Sequence, residues 1–427
     1  MFRSILAGLG ATCAAGILTA AAFAADPAGT YPKDPTIWPN AYSRANSDDW
    51  LSQNHDRIKL IRPRLLVLNF SNNRTPEQAR EIVDNIITAV AESSRYHGYK
   101  DPKAPVTLQY EVAKFVDMAD RPADPRPAGE RLDGNSTKYP RVPFWSRGIN
   151  FVYSDLFTQR FAIHYGYRDP KNSSRFLTLE ELVDQGIIHE VWFTAIQGDF
   201  GSPYESIEVK QAYDANMKKI PGAWKQSGNG GSEGQPWIGR SLRIGFINSD
   251  RGPGCFLESL SHSFEGTAHS SVIPYFRKYF YEFAGFDLDT RWGLRRNSLY
   301  GHGDDPVDYP NPTTMTLKNA GEPFTVENFT VIGGNVHYNP SGRRDYDLDN
   351  PQKVMSTIEN YRLFNGPDGK DKAELWDVSR FKPYNALAPD CMGPWLVYWR
   401  QNMPGPNSPA KDDDGQPMKS WWPFLFY

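Results

Sequence analysis

The chain has 427 residues, room for one large domain or two ordinary ones. An apolar fraction of 39% with 14% aromatics excludes an intrinsically disordered chain. Lys+Arg 47 against Asp+Glu 50 leaves a net charge of −3, so no global charge draws the chain to nucleic acid or anionic lipid.

Arg3 precedes an apolar Ala/Gly/Leu-rich run from Ile5 to Phe23, and Ala22-Phe23-Ala24 supplies a small-x-small cleavage pattern. This predicts a secretory signal over 1–24 and a secreted or periplasmic mature protein. The small residues end directly before Asp26-Pro27, which favours cleavage over a retained anchor. No later run has the apolar length of a membrane helix, so no membrane contact is expected after cleavage. Two cysteines remain, Cys255 and Cys391. In an oxidising compartment they form one disulfide; the alternative is two buried thiols.

Residues 25–60 are polar and rich in Pro, Asn and Trp, and read as an extended arm. The rest, 61–427, reads as a single large α/β domain with a loop-rich C-terminal part. Arg64 to Phe70 is a short apolar run of the kind that forms a buried parallel strand. Thr75-Pro76-Glu77 opens a helix, and Ala79, Ile82, Val83, Ile86, Ile87 and Val90 continue it at helical spacing to Ser93. Val106 to Val116 alternates as a second strand, which completes a βαβ unit. Residues 118–146 read as a long surface excursion. Leu179 to Gln185 is a short helix capped by Thr178 and stopped by Gly186. Strands follow at 191–196 and 242–247, with a flexible loop at 226–236. A long helix starts near Cys255 and breaks at Pro274. The expected architecture is α/β, with a mostly parallel sheet, flanking helices and long irregular surface segments.

In such sheets, sites form beyond the carboxyl ends of the strands. Two polar loops fit that rule: 197–206, which carries Glu205, and 248–254, which carries Asp250. The second leads into a helix where Glu258, His262, Glu265 and His269 are spaced +4, +3, +4 and share one face. Carboxylates and imidazoles at that spacing are ligands for Zn²⁺ or another divalent ion, or carry protons near neutral pH. His337, in Gly333-Gly334-Asn335-Val336-His337-Tyr338, is the third candidate ligand beside His262 and Glu265. Glu205, Glu265 and Asp250 are the candidate catalytic carboxylates. Three readings of the cluster stay open: a metal site, a polar active site without metal, and a buried polar network. His269, one turn further, is expected to cap or face solvent. Asp345 and Asp347 are close enough in sequence to support His337. There is no Gly-x-Ser-x-Gly elbow, no phosphate-binding glycine loop and no His-Glu-x-x-His.

The aromatic residues gather near the end, at Trp395, Tyr398, Trp399, Trp421, Trp422, Phe424, Phe426 and Tyr427. Trp395 and Trp399 are i, i+4 on an expected helix, and the set reads as core rather than as a sugar-stacking surface.

Several of these motifs share an order with a known group. Glu190-Val191-Trp192-Phe193, Tyr204-Glu205-Ser206, His262-x-x-Glu265, Gly334 to Tyr338 with Asp345-Tyr346-Asp347, and Trp421-Trp422 resemble a family of uncharacterised secreted bacterial proteins. Members are sometimes joined to carbohydrate-binding or discoidin-like modules. Ser263 and Gly266 stand where the family pattern has Arg and Ser. The resemblance implies that Glu205, His262, Glu265 and His337 form one set, and it implies no particular activity. The residues themselves are read as those of a hydrolase, metal-dependent where the cluster holds an ion. Its substrate would be polymeric or small, a cell-wall, peptide or glycan chain among the candidates. The alternative is a non-catalytic carbohydrate- or surface-binding protein with a structural His/Glu cluster.

Overall fold

A computed structural model describes residues 31–44, 47–71, 73–119, 141–144, 148–196, 203–229, 234–294, 307–318 and 323–427. The expected signal over 1–24 and most of the 118–146 excursion lie outside them.

The apolar runs do become the strands of one sheet. Strand β1 (Arg64–Asn69) leads through helix α1 (Pro76–Ser93) to strand β2 (Glu111–Asp117). Thr75 caps α1 with a reciprocal pair of bonds to Gln78, and Pro76 stands where no intrahelical N–H is needed. The short helix α2 (Leu179–Asp184) carries the same device in Thr178 and Glu181, and stops before Gly186 at φ +64°. Strands β3 (Glu190–Ala195), β4 (Ser206–Tyr213), β5 (Lys219–Gln226) and β6 (Leu242–Asn248) complete a six-stranded sheet. Its order is β5-β4-β6-β3-β1-β2, with β6, β3, β1 and β2 mutually parallel and β4 antiparallel to both neighbours. The four strands expected from the sequence are this parallel block. The second of them starts later than expected; Leu108 only bridges to Ile61 before the ladder begins at Glu111.

The hairpin β4–β5 lies between the two loops expected at 197–206 and 226–236, in a stretch where the sequence pattern marks no element. Its first strand hides because it carries Glu208 and Lys210, charges that normally mark an exposed face. Here both are buried, 3.3 Å apart, and Lys210 Nζ donates to the carbonyl of Phe424 at 2.9 Å.

Side chains alternate across the sheet between two cores. Leu65 and Val67 share one with Val83, Ile86 and Val90 of α1, and with Leu257, Leu260 and Phe264. Leu66, Leu68, Val191 and Phe193 share the other with Leu179 and Leu182 of α2. The long helix expected after β6, with its break at Pro274, is α3 (Pro253–His269) and α4 (Pro274–Ala284). Helix α5 (Gly393–Arg400) packs on α3, with Trp395 and Trp399 fully buried. Trp421, Trp422, Phe424 and Tyr427 are buried too, as expected of core.

Two expectations change. The 25–60 arm is not simply extended: where described, it holds a helix (Ser47–Gln53) and sends Trp38, Leu51 and Ile58 into the first core. The C-terminal part holds a three-stranded antiparallel sheet (Val307–Asn311, Thr314–Leu317, Phe324–Glu327) besides its irregular segments. Cys255 and Cys391 form a disulfide across 136 residues, their Cα atoms 5.1 Å apart. Among the described residues, no helix is long and apolar enough to cross a membrane.

Candidate functional site

Helix α3 is locked at its start and along its sheet-facing side. Asp390 accepts from the backbone N–H groups of Gly252 and Gly254, at 2.8 Å each, and the disulfide follows directly. A side chain on Gly254 would meet the Asp390 carbonyl at 2.0 Å, so only glycine fits. Further along, buried Arg243 of β6 donates to Ser259 at 2.8 Å, to Ser263 at 2.9 Å and to Glu190 at 2.9 Å. This fork fixes the rotation of α3 on the sheet. With its sheet side so committed, the helix turns Glu258, His262, Glu265, Gly266 and His269 toward a cleft of about 470 Å³.

The opposite wall carries His337 and Tyr346, and its position is set from below. Trp395 Nε1 donates to the carbonyl of Asn335 at 2.8 Å, and Trp399 Nε1 to that of Gly334 at 2.9 Å. Glu265 adds a third tie by accepting from the N–H of Val336 at 3.2 Å. Gly334 has φ +108°, and a side chain there would meet the Tyr338 carbonyl at 2.3 Å. Glu205 closes the end where β4 begins and β6 finishes. Its carbonyl accepts from Phe246 N at 2.9 Å and Ser259 Oγ at 3.1 Å, and its carboxylate from Asn229 Nδ2 at 2.8 Å.

Within the cleft, one ligand atom each from Glu258, His262 and His337 lie within 4.8 Å of one another. His337 Nε2 is 3.2 Å from Glu258 Oε1, and the two imidazole rings meet edge to face with centroids 5.0 Å apart. Glu265 stands behind this group rather than in it. One of its oxygens accepts from His262 Nδ1 at 2.7 Å, while the other takes Val336 N–H. That bond assigns the proton of a neutral His262 to Nδ1 and leaves Nε2 free to bind a cation. Burial opposes charge on His262. The carboxylate of Glu265 and its hydrogen bond, with Glu205 and Glu258 nearby, outweigh that and hold the ring above its ordinary range. Burial likewise opposes ionisation of Glu265, but His262, the Val336 N–H and His337 keep it below the usual carboxylate value.

The four residues expected as one set, Glu205, His262, Glu265 and His337, therefore line a single cleft. The three side chains close enough together to hold a cation are Glu258, His262 and His337, where His262, Glu265 and His337 were expected. Helical spacing turns both carboxylates toward the same side, and only the seating of His337 decides between them. Asp250 is not brought to the cluster. It lies at the surface, within 3.3 Å of Arg74 and Asn73. Asp345 Oδ1 is 4.0 Å from His337 Nδ1, whereas Asp347 is spent on Arg343 at 2.6 Å. His269 reaches the rim of the cleft and bonds Tyr281 at 2.7 Å. Cys255, Asp390 and Cys391 also come close together, but both sulfurs are used in the disulfide.

Sequence reasoning passed over Tyr346 as a site residue. Its hydroxyl hydrogen-bonds Glu258, and its ring tilts by 30° against that of His337 with centroids 5.0 Å apart. The available signal was its place between Asp345 and Asp347, two candidates already singled out. Ser263 and Gly266 both have structural work. Ser263 accepts from Arg243, and a side chain on Gly266 would meet the Ser227 carbonyl at 1.9 Å. No family model, curated protein or solved structure matches the chain.

Proposed function

We propose that this protein is a secreted or periplasmic metal-dependent hydrolase acting on an extracellular polymer, a cell-wall, peptide or glycan chain. The observation that carries the reading is the convergence of Glu258, His262 and His337 on an open cleft, with Glu265 orienting His262 from behind. Two imidazoles and a carboxylate are the donor set of many catalytic zinc sites, and an orienting carboxylate behind a ligand histidine is their usual support. A divalent ion held there would supply a bound water activated near neutral pH.

The chain's own groups fit the remaining tasks. Glu205 lines the same cleft, and its carboxylate, held by Asn229, is the acceptor for a proton from an attacking water. Three carboxylates, Glu205, Glu258 and Glu265, border the two imidazoles, a surplus of negative charge that suits a divalent cation. Asp250 has no part in this arrangement.

The test is metal content. Purified mature protein should hold about one divalent ion per chain by elemental analysis, with zinc the first candidate. His262→Ala and His337→Ala should each release it with little change in far-UV circular dichroism. A protein that binds no added Zn²⁺, and that only loses stability on His262→Ala, would show the cluster to be a buried polar network.

The second reading, a non-catalytic carbohydrate- or surface-binding protein, is favoured by a separate observation. Trp224, 38% exposed on β5, stacks on Trp237 with centroids 5.8 Å apart and planes within 7°. Saccharide binding that persists in a metal-free protein and falls on Trp224→Ala would support it.

A further inference from the structure

Tyr346 is the odd residue of the cleft. It has φ +59°, a left-handed conformation that costs a large side chain energy and survives only where its surroundings impose it. Those surroundings are visible. The next residue, Asp347, is clamped: Arg343 Nε and Nη2 reach its carboxylate at 2.6 and 3.1 Å, and Asn339 Nδ2 takes its carbonyl at 2.6 Å. On the other side, Tyr346 N donates to the carbonyl of His337 at 3.1 Å. The chain is therefore pinned on both flanks, and the tyrosine is turned over His337 although 47% of its surface remains exposed. An exposed aromatic gains little by burial there, so the orientation places its oxygen rather than its ring.

That oxygen stands among the donors. It hydrogen-bonds Glu258 Oε1 and lies 3.5 Å from His337 Nε2, while those two atoms are 3.2 Å from each other. Donors about 2.0–2.2 Å from a tetrahedral ion stand ~3.3–3.6 Å apart, so the 3.5 Å between Tyr346 and His337 Nε2 is an edge of such a site and the 3.2 Å between Glu258 and His337 Nε2 is just short of one. Tyr346 and Glu258 are joined by the phenol proton.

We propose that Tyr346 is a fourth protein donor to the divalent ion, through its phenolate oxygen. The proposal rests on the metal reading of the cleft. On binding, the ion takes the place of the phenol proton between Tyr346 and Glu258, and the proton leaves to solvent. No bond other than O–H breaks, and no redox partner is needed. The site would then hold Glu258, His262, His337 and Tyr346, and a water or substrate oxygen would enter as a fifth ligand or by displacing the tyrosine.

The probe is Cu²⁺, which occupies N/O sites tightly and reports phenolate coordination as a charge-transfer band in the visible. Full-length protein loaded with one equivalent should show that band. Tyr346→Phe, which keeps the ring and the cover over His337, should still bind one equivalent but without the band, and should hold Zn²⁺ about tenfold or more weakly. Copper bound by the wild type without the band, or a band unchanged in Tyr346→Phe, overturns the tyrosine ligand and leaves the three-donor site standing. A wild type that binds neither ion overturns both readings. Should Tyr346→Phe lose metal altogether, the wild-type spectrum still decides: Tyr346 is the one tyrosine among the described residues that line the cleft, so the band supports the ligand and its absence overturns it.

Discussion

The carboxylate of Glu265 accepts the Nδ1 proton of His262 across 2.7 Å, from a position three residues further along the same helix. Its other oxygen holds the N–H of Val336, on the segment that delivers His337. One side chain thus sets the tautomer of one imidazole and the position of the other. Glu265→Gln keeps an acceptor for Val336 but offers an amide to His262. Metal affinity is expected to fall about 10–100-fold, with a small change in unfolding midpoint. Competitive titration against a chromophoric chelator measures it; an unchanged affinity would remove Glu265 from any supporting role.

The seating of His337 should also respond to a residue that never enters the cleft. Trp399→Phe preserves an aromatic ring but leaves the Gly334 carbonyl without its buried donor. A loss of about 1–3 kcal/mol is expected in denaturant unfolding. Metal affinity should fall with it, because the same carbonyl is part of the turn that presents His337. Equal destabilisation with full metal affinity would show the two to be independent.

The disulfide ties the first turn of α3 to the segment before α5, closing a loop of 136 residues. Cys255→Ser combined with Cys391→Ser should lower stability by about 2–5 kcal/mol. Reduction of the wild type should reproduce the loss. Thermal unfolding with and without reductant checks it, and a double mutant as stable as the oxidised protein would contradict it.

A pH dependence follows from His55, which is not among the residues lining the cleft. It is buried, with Nε2 2.9 Å from the Ser420 carbonyl and Nδ1 2.5 Å from the Tyr427 hydroxyl. Burial dominates over the opposing pull of Asp56 and the Ser420 carbonyl, and Lys419 adds to it, so the imidazole is pushed down to about 4. The folded state keeps the ring neutral where the unfolded chain takes up a proton. Its contribution is fully present above the ordinary value of 6.5 and is lost as pH falls toward 4. The loss amounts to about 3 kcal/mol at most. His189, pushed down to about 3 by burial, acts in the same direction. Urea unfolding at pH 7 and pH 4.5 should show a shallower dependence in His55→Gln than in the wild type. Parallel curves would refute this assignment.

Much of the architecture is legible in local pattern. Apolar runs mark β1, β3 and β6, because a strand covered on both faces takes apolar residues at most of its positions. Thr75-Pro76 and Thr178 with Gly186 mark helix ends, because caps act on neighbouring backbone groups. The polar stripe of α3 is legible for the same reason: a helix converts spacing in sequence into a shared face.

Where that stripe leads is decided elsewhere. Glu258 and Glu265 are equivalent by periodicity, yet one faces His337 and the other stands behind His262. The difference comes from a segment more than sixty residues away, seated by two tryptophan N–H groups on a third element. Strand β4 is not legible locally, because Glu208 and Lys210 are charges that normally mark an exposed face and only in the packed chain does each supply the other's counter-charge. Asp250 and Glu205 looked alike as strand-end carboxylates, and Arg74 holds one at the surface while the β4–β6 pairing carries the other into the cleft. Helix faces, caps and buried strands arise from interactions within a few residues, which the order of amino acids determines by itself. Which side chains meet across the cleft depends on contacts between distant segments, and only the packed chain decides them.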